Sequence, residues 1–486
     1  MFEAGLIFST FVLCFFIRLS PFPAQGCDAY YFLLCAERFK KDKQIPIILP
    51  NYYMLENNEQ WYPPGFSIFL ALFSQKFLEK CHWLLSPLLD SIIGLILMFV
   101  LYALTGDVAA AVIAGLIYAF AWGAISQTEN MTSRQLGVLF LNLAVILLFI
   151  SLETFPFIAF YFIAVLLLLT THKLNSQNFY ITLPLLAIIS DMRILALYIA
   201  GLVIVLIATK GFYWKILKAH WDIVKFWSSN WPFLGAHQIK HSPVYGNPDD
   251  YNNEIYSPAN IIKYVASIIL ANPLFIIVAI SFFTLNSLGS SAIDSYRVWL
   301  LLTYALLFML IVFPFLRGIG EGYKYVAGAV PATAFIAGYL FHAGHYRGII
   351  LMLFVVSLFW SFFKYYKIFQ NQRVPPAGGR PRMQGAINYI NELKTSDNIS
   401  LLCVPLHLSD IIAYNCRIKI LWGSHNHPFE MIKSIFPVFK KKISELKKEY
   451  GINYLLLDKK YADSGFFEKE LKQEVFSEGD YSIYRI

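Results

Sequence analysis

The sequence predicts an all-α polytopic membrane protein, with about eleven transmembrane helices over residues 1–374 and a small soluble α/β domain over residues 375–486. Three observations lead there. Of 486 residues, 57% are hydrophobic and only 14% charged, where a soluble domain carries about a quarter charged residues, and the mean hydropathy is +0.55. Apolar runs recur from Leu6 to Phe363; crossing a hydrocarbon core of about 30 Å takes roughly 20 helical residues. Beyond Pro375-Pro376-Ala377-Gly378-Gly379 the composition changes, and Lys and Glu become frequent.

Backbone polar groups in lipid must be satisfied internally, so the apolar runs are read as helices. The first, Leu6 to Leu19, has Glu3 and no basic residue ahead of it, which predicts a retained span with a cytoplasmic N-terminus. An external loop over residues 21–81 follows, closed by a short interfacial helix from Phe66 to Leu78. Further spans are expected at His82–Leu104, Val108–Ile125, Leu136–Leu152, Pro156–Thr170 and Tyr180–Ala208, the last interrupted by Asp191-Met192-Arg193. A weaker span ending near Trp231 precedes a second polar loop with Asn247-Pro248-Asp249-Asp250. Ile261–Leu285, Val298–Leu316, Tyr325–Phe341 and Gly348–Phe363 complete the set. In the tail, β-like runs at Ser400–Val404 and Tyr454–Leu457 alternate with helical patterns such as Phe436–Tyr450.

Charge gives a partial orientation. Lys210, Lys215, Lys218 and Lys225 are expected on the cytoplasmic side, whereas Arg38, Lys40, Lys41 and Lys43 in the first loop run against the positive-inside bias. The net charge of +8 suits anionic lipid headgroups or a phosphorylated lipid; it is spread along loops and tail, which argues against nucleic acid. None of the six cysteines forms a CxxC pair, so no metal cluster is expected; Cys27 with Cys35, or Cys403 with Cys416, could bridge in an oxidising compartment. No Walker-type loop or Rossmann fingerprint appears.

The first loop is where chemistry is expected, because a protein that only spans a membrane needs short turns. Asp28 lies just after the first span, placed to act as a general base on an acceptor hydroxyl; as a structural residue it would be a solvated acid or the N-cap of a helix over Ala29–Phe39. Tyr30, Tyr31, Tyr52, Tyr53, Trp61 and Tyr62 could stack on a sugar or form an interfacial aromatic belt. Arg193 is an intramembrane charge that needs a reason, and in a regular helix Asp191 would sit on another face and not pair with it. Asp90 either lines a cavity or caps a bend after Pro87. His425-Asn426-His427 has a metal-like spacing but no evident third ligand.

Four short segments together resemble the multispan glycosyltransferases of the GT-C fold, which include the dolichyl-phosphate-mannose protein mannosyltransferases and the aminoarabinose transferase of lipid A. They are Gly26-Cys27-Asp28-Ala29-Tyr30-Tyr31, Tyr62-Pro63-Pro64-Gly65, Asp191-Met192-Arg193, and Tyr323-Lys324-Tyr325 with the downstream Pro331. The resemblance implies an inverting transferase that takes a sugar from a polyprenyl-phosphate donor to a lipid, glycan or protein acceptor. On that reading Asp28 is the base and Arg193, Arg317 and Lys324 hold the departing phosphate, while Tyr30, Tyr31, Tyr62, Pro63 and Pro64 line the substrate. Where many members have paired acids, Ala29 follows Asp28; Glu129 can supply a second carboxylate, and Glu37, Glu56 and Glu59 are rival bases. No cofactor is firmly expected, although a divalent metal is compatible with the reading. The expected location is the plasma (inner) membrane, with the active site and the tail outside the cytoplasm. A flippase of lipid-linked sugars is the alternative from another class, but it predicts internal repeats with broken helices in corresponding halves, and no repeat is seen. A ligase or polymerase that transfers a whole glycan shares the predicted topology.

Overall fold

The computed structural model describes residues 2–19, 26–45, 49, 59–233, 239, 242–246, 258–371, 383–395, 398–467 and 469–486. Tyr52, Tyr53, Glu56, the Asn247–Asp250 segment and the Pro375–Gly379 linker lie outside the described residues, as does the side chain of Glu59. In chain order the first helices are α1 (Phe2–Arg18), α2 (Cys27–Asp42), α3 (Gly65–Leu70), α4 (Gln75–Cys81), α5 (Leu85–Thr105), α6 (Val108–Ala119), α7 (Trp122–Ile125), α8 (Arg134–Glu153) and α9 (Ile158–Leu169), with the two-residue strand β1 (Glu59–Gln60) before α3. Then come α10 (Lys173–Ile189), α11 (Arg193–Ala208), α12 (Phe212–Ser229), α13 (Pro258–Ala271), α14 (Phe275–Thr284), α15 (Ser291–Val312), α16 (Val326–His342) and α17 (Arg347–Asn371). The tail contains α18 (Gln384–Leu393), β2 (Ser400–Val404), α19 (Ser409–Cys416), β3 (Lys419–Ile420), β4 (Asn426–His427), α20 (Ile443–Tyr450), β5 (Tyr454–Asp458), β6 (Gln473–Glu478) and β7 (Tyr481–Arg485).

Five described helical stretches are long and apolar enough to cross a membrane, or seven if each of two bent helix pairs counts as one crossing. That falls short of the expected eleven for a geometric reason. The apolar runs are there, but α6 and α9 have 12 residues each and reach only about 18 Å at 1.5 Å per residue. The run predicted over Ile261–Leu285 is broken between α13 and α14 by an 88° bend, and α11 ends at a Lys210-Gly211 turn with Gly211 at φ +78°. The molecule is an integral membrane protein built mainly of helices, with a small sheet near its C-terminus.

Two compact units emerge from the packing. The first comprises Met1–Pro23, Cys81–Trp214 and Ile255–Pro375. At its centre α16, with the sequence VAGAVPATAFIAGYLFH, is buried on nearly every side. Small residues allow that: a Cβ on Gly338 would lie 2.7 Å from the Ala114 Cβ of α6 and 3.1 Å from the Ala110 carbonyl, the close backbone approach that small-residue interfaces permit between membrane helices. In the same unit the Arg18 side chain is fully buried at the end of α1. Its Nε donates to Asp90 at 2.5 Å, and its terminal nitrogens donate to the carbonyls of Ala119 and Tyr118 at 2.5 and 2.7 Å. Tyr118 Oη donates to the other Asp90 oxygen at 2.9 Å. Asp90 is therefore the counter-ion of Arg18, not the cap of a bend after Pro87.

The second unit joins Ala24–Lys80, Lys215–Glu254 and Pro376–Ile486. Its sheet has the order β3-β2-β5-β7-β6; β2 is parallel to β3 and β5, and β7 is antiparallel to β5 and β6. Leu401–Val404 and Tyr454–Leu457 are buried without alternation, as strands covered on both faces require. The expected strands at Ser400–Val404 and Tyr454–Leu457 are present, whereas the helical pattern from Phe436 becomes a helix only from Ile443. The tail packs with earlier segments: α19 lies against α2, and β1 pairs antiparallel with β4, Glu59 opposite His427 and Gln60 opposite Asn426. The first polar insert thus begins as a helix. Ala29 to Ala36 of α2 are all buried, which fits a helix apolar around its circumference; Asp28 in its first turn and Lys40 and Lys41 in its last complement the helix dipole.

Candidate functional site

In the second unit, the head of α2 carries Asp28, whose side chain is 43% exposed, on a helix otherwise sunk into the core. The Cys27 thiol donates to Asp28 Oδ1 at 3.7 Å. Burial and the carboxylates of Asp28 and Asp410 push that thiol well above its ordinary range, so it stays a protonated donor. Across from Asp28 lies His425, 11% exposed, with Nε2 3.9 Å from Asp28 Oδ1. The imidazole stacks on the Tyr31 ring, centroids 4.3 Å apart and planes 10° from parallel, and Tyr62 meets it edge-on at 4.6 Å. His425 Nδ1 is 2.7 Å from Ser424 Oγ, and Ser424 gives both its hydroxyl and its backbone N–H to Asp410, the latter at 3.0 Å.

The aromatic residues expected to line the substrate are mostly packed away. Tyr30 and Tyr31 are buried; Tyr30 turns to Tyr414, centroids 5.6 Å apart, and burial pushes its hydroxyl up to about 12. One face of Tyr31 is covered by His425. Pro63 and Pro64 are also buried, Pro64 immediately preceding α3, where a fixed φ pre-organises the turn. Tyr31 and Tyr62 both pack against the His425 ring. Of the rival bases, Glu37 is bound to Arg417 at 2.6 Å.

A separate charged group lies in the first unit. Arg317, 9% exposed, sits on a 3-10 turn over Pro314–Gly318. Glu321 takes Arg317 at 3.5 Å and Lys324 at 2.6 Å and accepts from Tyr323 Oη at 3.1 Å. Burial alone would raise the Glu321 pKa, but Lys324, Arg317 and the Tyr323 hydroxyl outweigh it and hold the carboxyl below its ordinary value. Glu129, in the turn between α7 and α8, has its pKa raised by burial. Arg193 is 69% exposed in its side chain and bonded to Asp191 at 2.6 Å. This corrects the expectation that Asp191 and Arg193 would not pair. Asp191 precedes the first residue of α11, so the two are not on successive faces of one helix; the Asp191 carboxylate caps the Arg193 N–H at 2.8 Å and folds back onto its side chain.

All six cysteines are free thiols. The two tail histidines diverge, since His427 Nδ1 lies 3.2 Å from Asp222 while His425 faces Asp28. Among the described residues no three His, Cys, Asp or Glu side chains are grouped to hold a metal ion; the residues around Asp28 do not fit one, and no step is derived through a metal. Nothing in the sequence singles out Arg18, Asp410, Ser424 or the role of His425; the nearest signal is the polar, glycine-containing run Trp422-Gly423-Ser424-His425 in an otherwise generic tail.

No family profile and no curated protein matches the chain in sequence. Solved structures do. ArnT from Cupriavidus metallidurans, bound to undecaprenyl phosphate, aligns with a TM-score of 0.57 at 11% identity over 99% of this chain and 97% of that one. The archaeal oligosaccharyltransferase AglB from Archaeoglobus fulgidus, in complex with an inhibitory peptide and a dolichol-phosphate, aligns at 0.57 and 10% identity over 94% and 69%. The Archaeoglobus fulgidus oligosaccharyltransferase tethered with an acceptor peptide containing the NVT sequon aligns at 0.58 and 11% over the same shares, 94% and 69%. The chain shares with these proteins the GT-C fold of polyprenyl-phosphate-dependent membrane glycosyltransferases.

Proposed function

We propose that the protein is a membrane glycosyltransferase that moves one sugar, with inversion, from a polyprenyl-phosphate donor to an acceptor hydroxyl on the extracytoplasmic face. The observation that carries this reading is Asp28: a half-exposed carboxylate at the head of α2, beside the Cys27 thiol and facing a His425 ring that Tyr31 and Tyr62 pack against. Asp28 takes the acceptor's proton as the acceptor oxygen attacks the anomeric carbon. The bond from that carbon to the phosphate oxygen breaks, its electron pair leaves with the lipid phosphate, and one in-line displacement inverts the centre. Glu129, kept protonated to higher pH by burial, is the alternative acid–base group.

The leaving phosphate needs cations. Arg317 and Lys324 both meet the Glu321 carboxylate, which gathers two cations at one turn, with Arg317 able to offer a phosphate a two-donor fork. Arg193, engaged by Asp191, is the weakest of the three expected phosphate ligands. An apolar cleft lined by Ile93, Leu97, Leu143, Tyr296 and Phe335 offers the prenyl chain a surface.

The test is mass spectrometry of polyprenyl-phosphate sugars and surface glycans in membranes carrying the native protein or Asp28→Asn at equal abundance. Loss of a general base costs about 10²–10⁴ in rate, so the variant is expected to accumulate one lipid-phosphate sugar while one glycan loses that residue. Loss of a multi-sugar unit instead would indicate transfer of a whole glycan. Unchanged lipids and glycans would remove Asp28 as the base.

A further inference from the structure

We infer that His425 is a positioning residue that works through Asp28, fixed by Ser424 and Asp410 so that the lone pair of its Nε2 faces the Asp28 carboxyl and accepts the proton which Asp28 takes from the acceptor. The inference rests on Asp28 being the base, and deepens that reading.

The hydrogen-bond chain sets the tautomer. Asp410 receives the Ser424 hydroxyl proton and the Ser424 backbone N–H, so the Ser424 oxygen is left to accept, and the His425 Nδ1 2.7 Å away donates to it. With the proton on Nδ1, Nε2 is the basic nitrogen, and it is the one turned to Asp28, 3.9 Å away. One rotation of the half-exposed carboxyl, or one bridging water, closes that gap. The ring cannot swing aside: Tyr31 lies flat against it and Tyr62 abuts its edge.

Proton bookkeeping is complete along this path. The acceptor hydroxyl proton passes to Asp28 and then to Nε2; the imidazolium so formed lies between the Asp28 carboxylate and, through Ser424, that of Asp410. Asp28 is thereby restored as an anion for the next turnover, and the imidazolium releases its proton to solvent by way of the exposed side of Asp28. Against the ring lie Asp28, Tyr31 and Phe32 from α2, Tyr62 from the segment before α3, and Ser424 from the tail; Cys27 bonds Asp28, and Asp410 bonds Ser424. Cys27 and Tyr31 are held protonated by burial.

Two measurements test it. Diethylpyrocarbonate acylates neutral imidazole only, so the pH dependence of His425 modification in the purified full-length protein, followed by peptide mass spectrometry, gives the ring's own titration. A carboxylate within about 4–6 Å shifts a neighbour by about 1–3 units, so Asp28→Asn is expected to lower the His425 midpoint by about one unit. An unchanged midpoint overturns the coupling. The second is the pH–rate profile for release of polyprenyl phosphate. Native protein should lose activity on the acid side as the imidazole protonates. His425→Phe, which keeps the ring stack, should drop the plateau about 10–100-fold and move that acid limb toward the carboxylate range near 4; added imidazole should restore part of the rate to His425→Ala. A His425→Phe profile of native shape and height overturns the inference even if Asp28→Asn is inactive. A coupled midpoint together with unchanged glycans in Asp28→Asn leaves the pair in place and removes instead the reading of Asp28 as the base.

Discussion

Glu321 receives two cations on one carboxylate, and that ratio decides what Arg317 and Lys324 can do. On the proposed reading, the lipid phosphate would meet at this turn an arginine whose partner is also held by a lysine. Truncating either cation removes a charge-assisted contact worth about 1.5–3 kcal/mol, so Arg317→Ala and Lys324→Ala are each expected to reduce kcat/KM by about 10–100-fold. Thermal unfolding of the purified variants separates this from a folding defect. The acid itself has a pH signature with a definite sign. Its folded pKa lies below the unfolded value of about 4.3, so its contribution to stability is complete above that value and lost as the pH falls through the folded one; Glu321→Gln should flatten that part of the acid unfolding curve. Single residues were unevenly legible. Asp28 is a candidate from its place after the first span, and Arg317 and Lys324 from their charge beside apolar runs. His425 stands out in the sequence only for its spacing to His427, because its place facing Asp28 depends on a helix almost four hundred residues earlier in the chain.

At the scale of elements, periodicity located apolar runs well and their ends poorly. Val108–Ile125 reads as one span, yet the helix stops at Ala119 and restarts at Trp122, because a break costs little where other parts of the fold satisfy the backbone. The start of the polar insert reads either as a solvated loop or as a helix over Ala29–Phe39, and the first third of the insert is α2. Only the packing shows that its stretch Ala29–Ala36 is buried like a core. Arg18 and Asp90 show the same limit. In the sequence Asp90 reads as lining a cavity or capping a bend after Pro87 and nothing singles out Arg18; only the packing of α1 against α5 and α6 joins them. Breaking a buried pair leaves one charge uncompensated at about 3–5 kcal/mol, whereas replacing both partners by apolar groups is often neutral. Arg18→Met alone should therefore lower the unfolding midpoint strongly, and the double variant Arg18→Met with Asp90→Leu should recover most of the loss in the same thermal scan. Recovery of nothing would mean that the carbonyl contacts to Ala119 and Tyr118, not the ion pair, carry the effect.

On the scale of the whole molecule, membrane character and the α/β tail were legible from composition alone, since both follow from averages over many residues. The partnership of the tail was not. Three stretches distant in sequence build the second unit, and pattern within any one of them is silent about the other two. Removing residues 383–486 would strip α19 from α2 and β4 from β1. Limited proteolysis of such a truncation should cut within residues 26–80 at sites protected in the full chain; equal protection would show that the first segment is ordered without the tail.

The two-residue pairing of β1 with β4 also has a consequence in time. Chains emerge from the ribosome at about 5–20 residues per second, so β1 waits on the order of tens of seconds for its partner. Throughout that interval Tyr30 and Tyr31 of α2 lack the Tyr414 and His425 rings that cover them in the finished protein. Biogenesis of this protein therefore includes a vulnerable stage, during which the segment bearing Asp28 waits for residues 414–427 to be made before it closes.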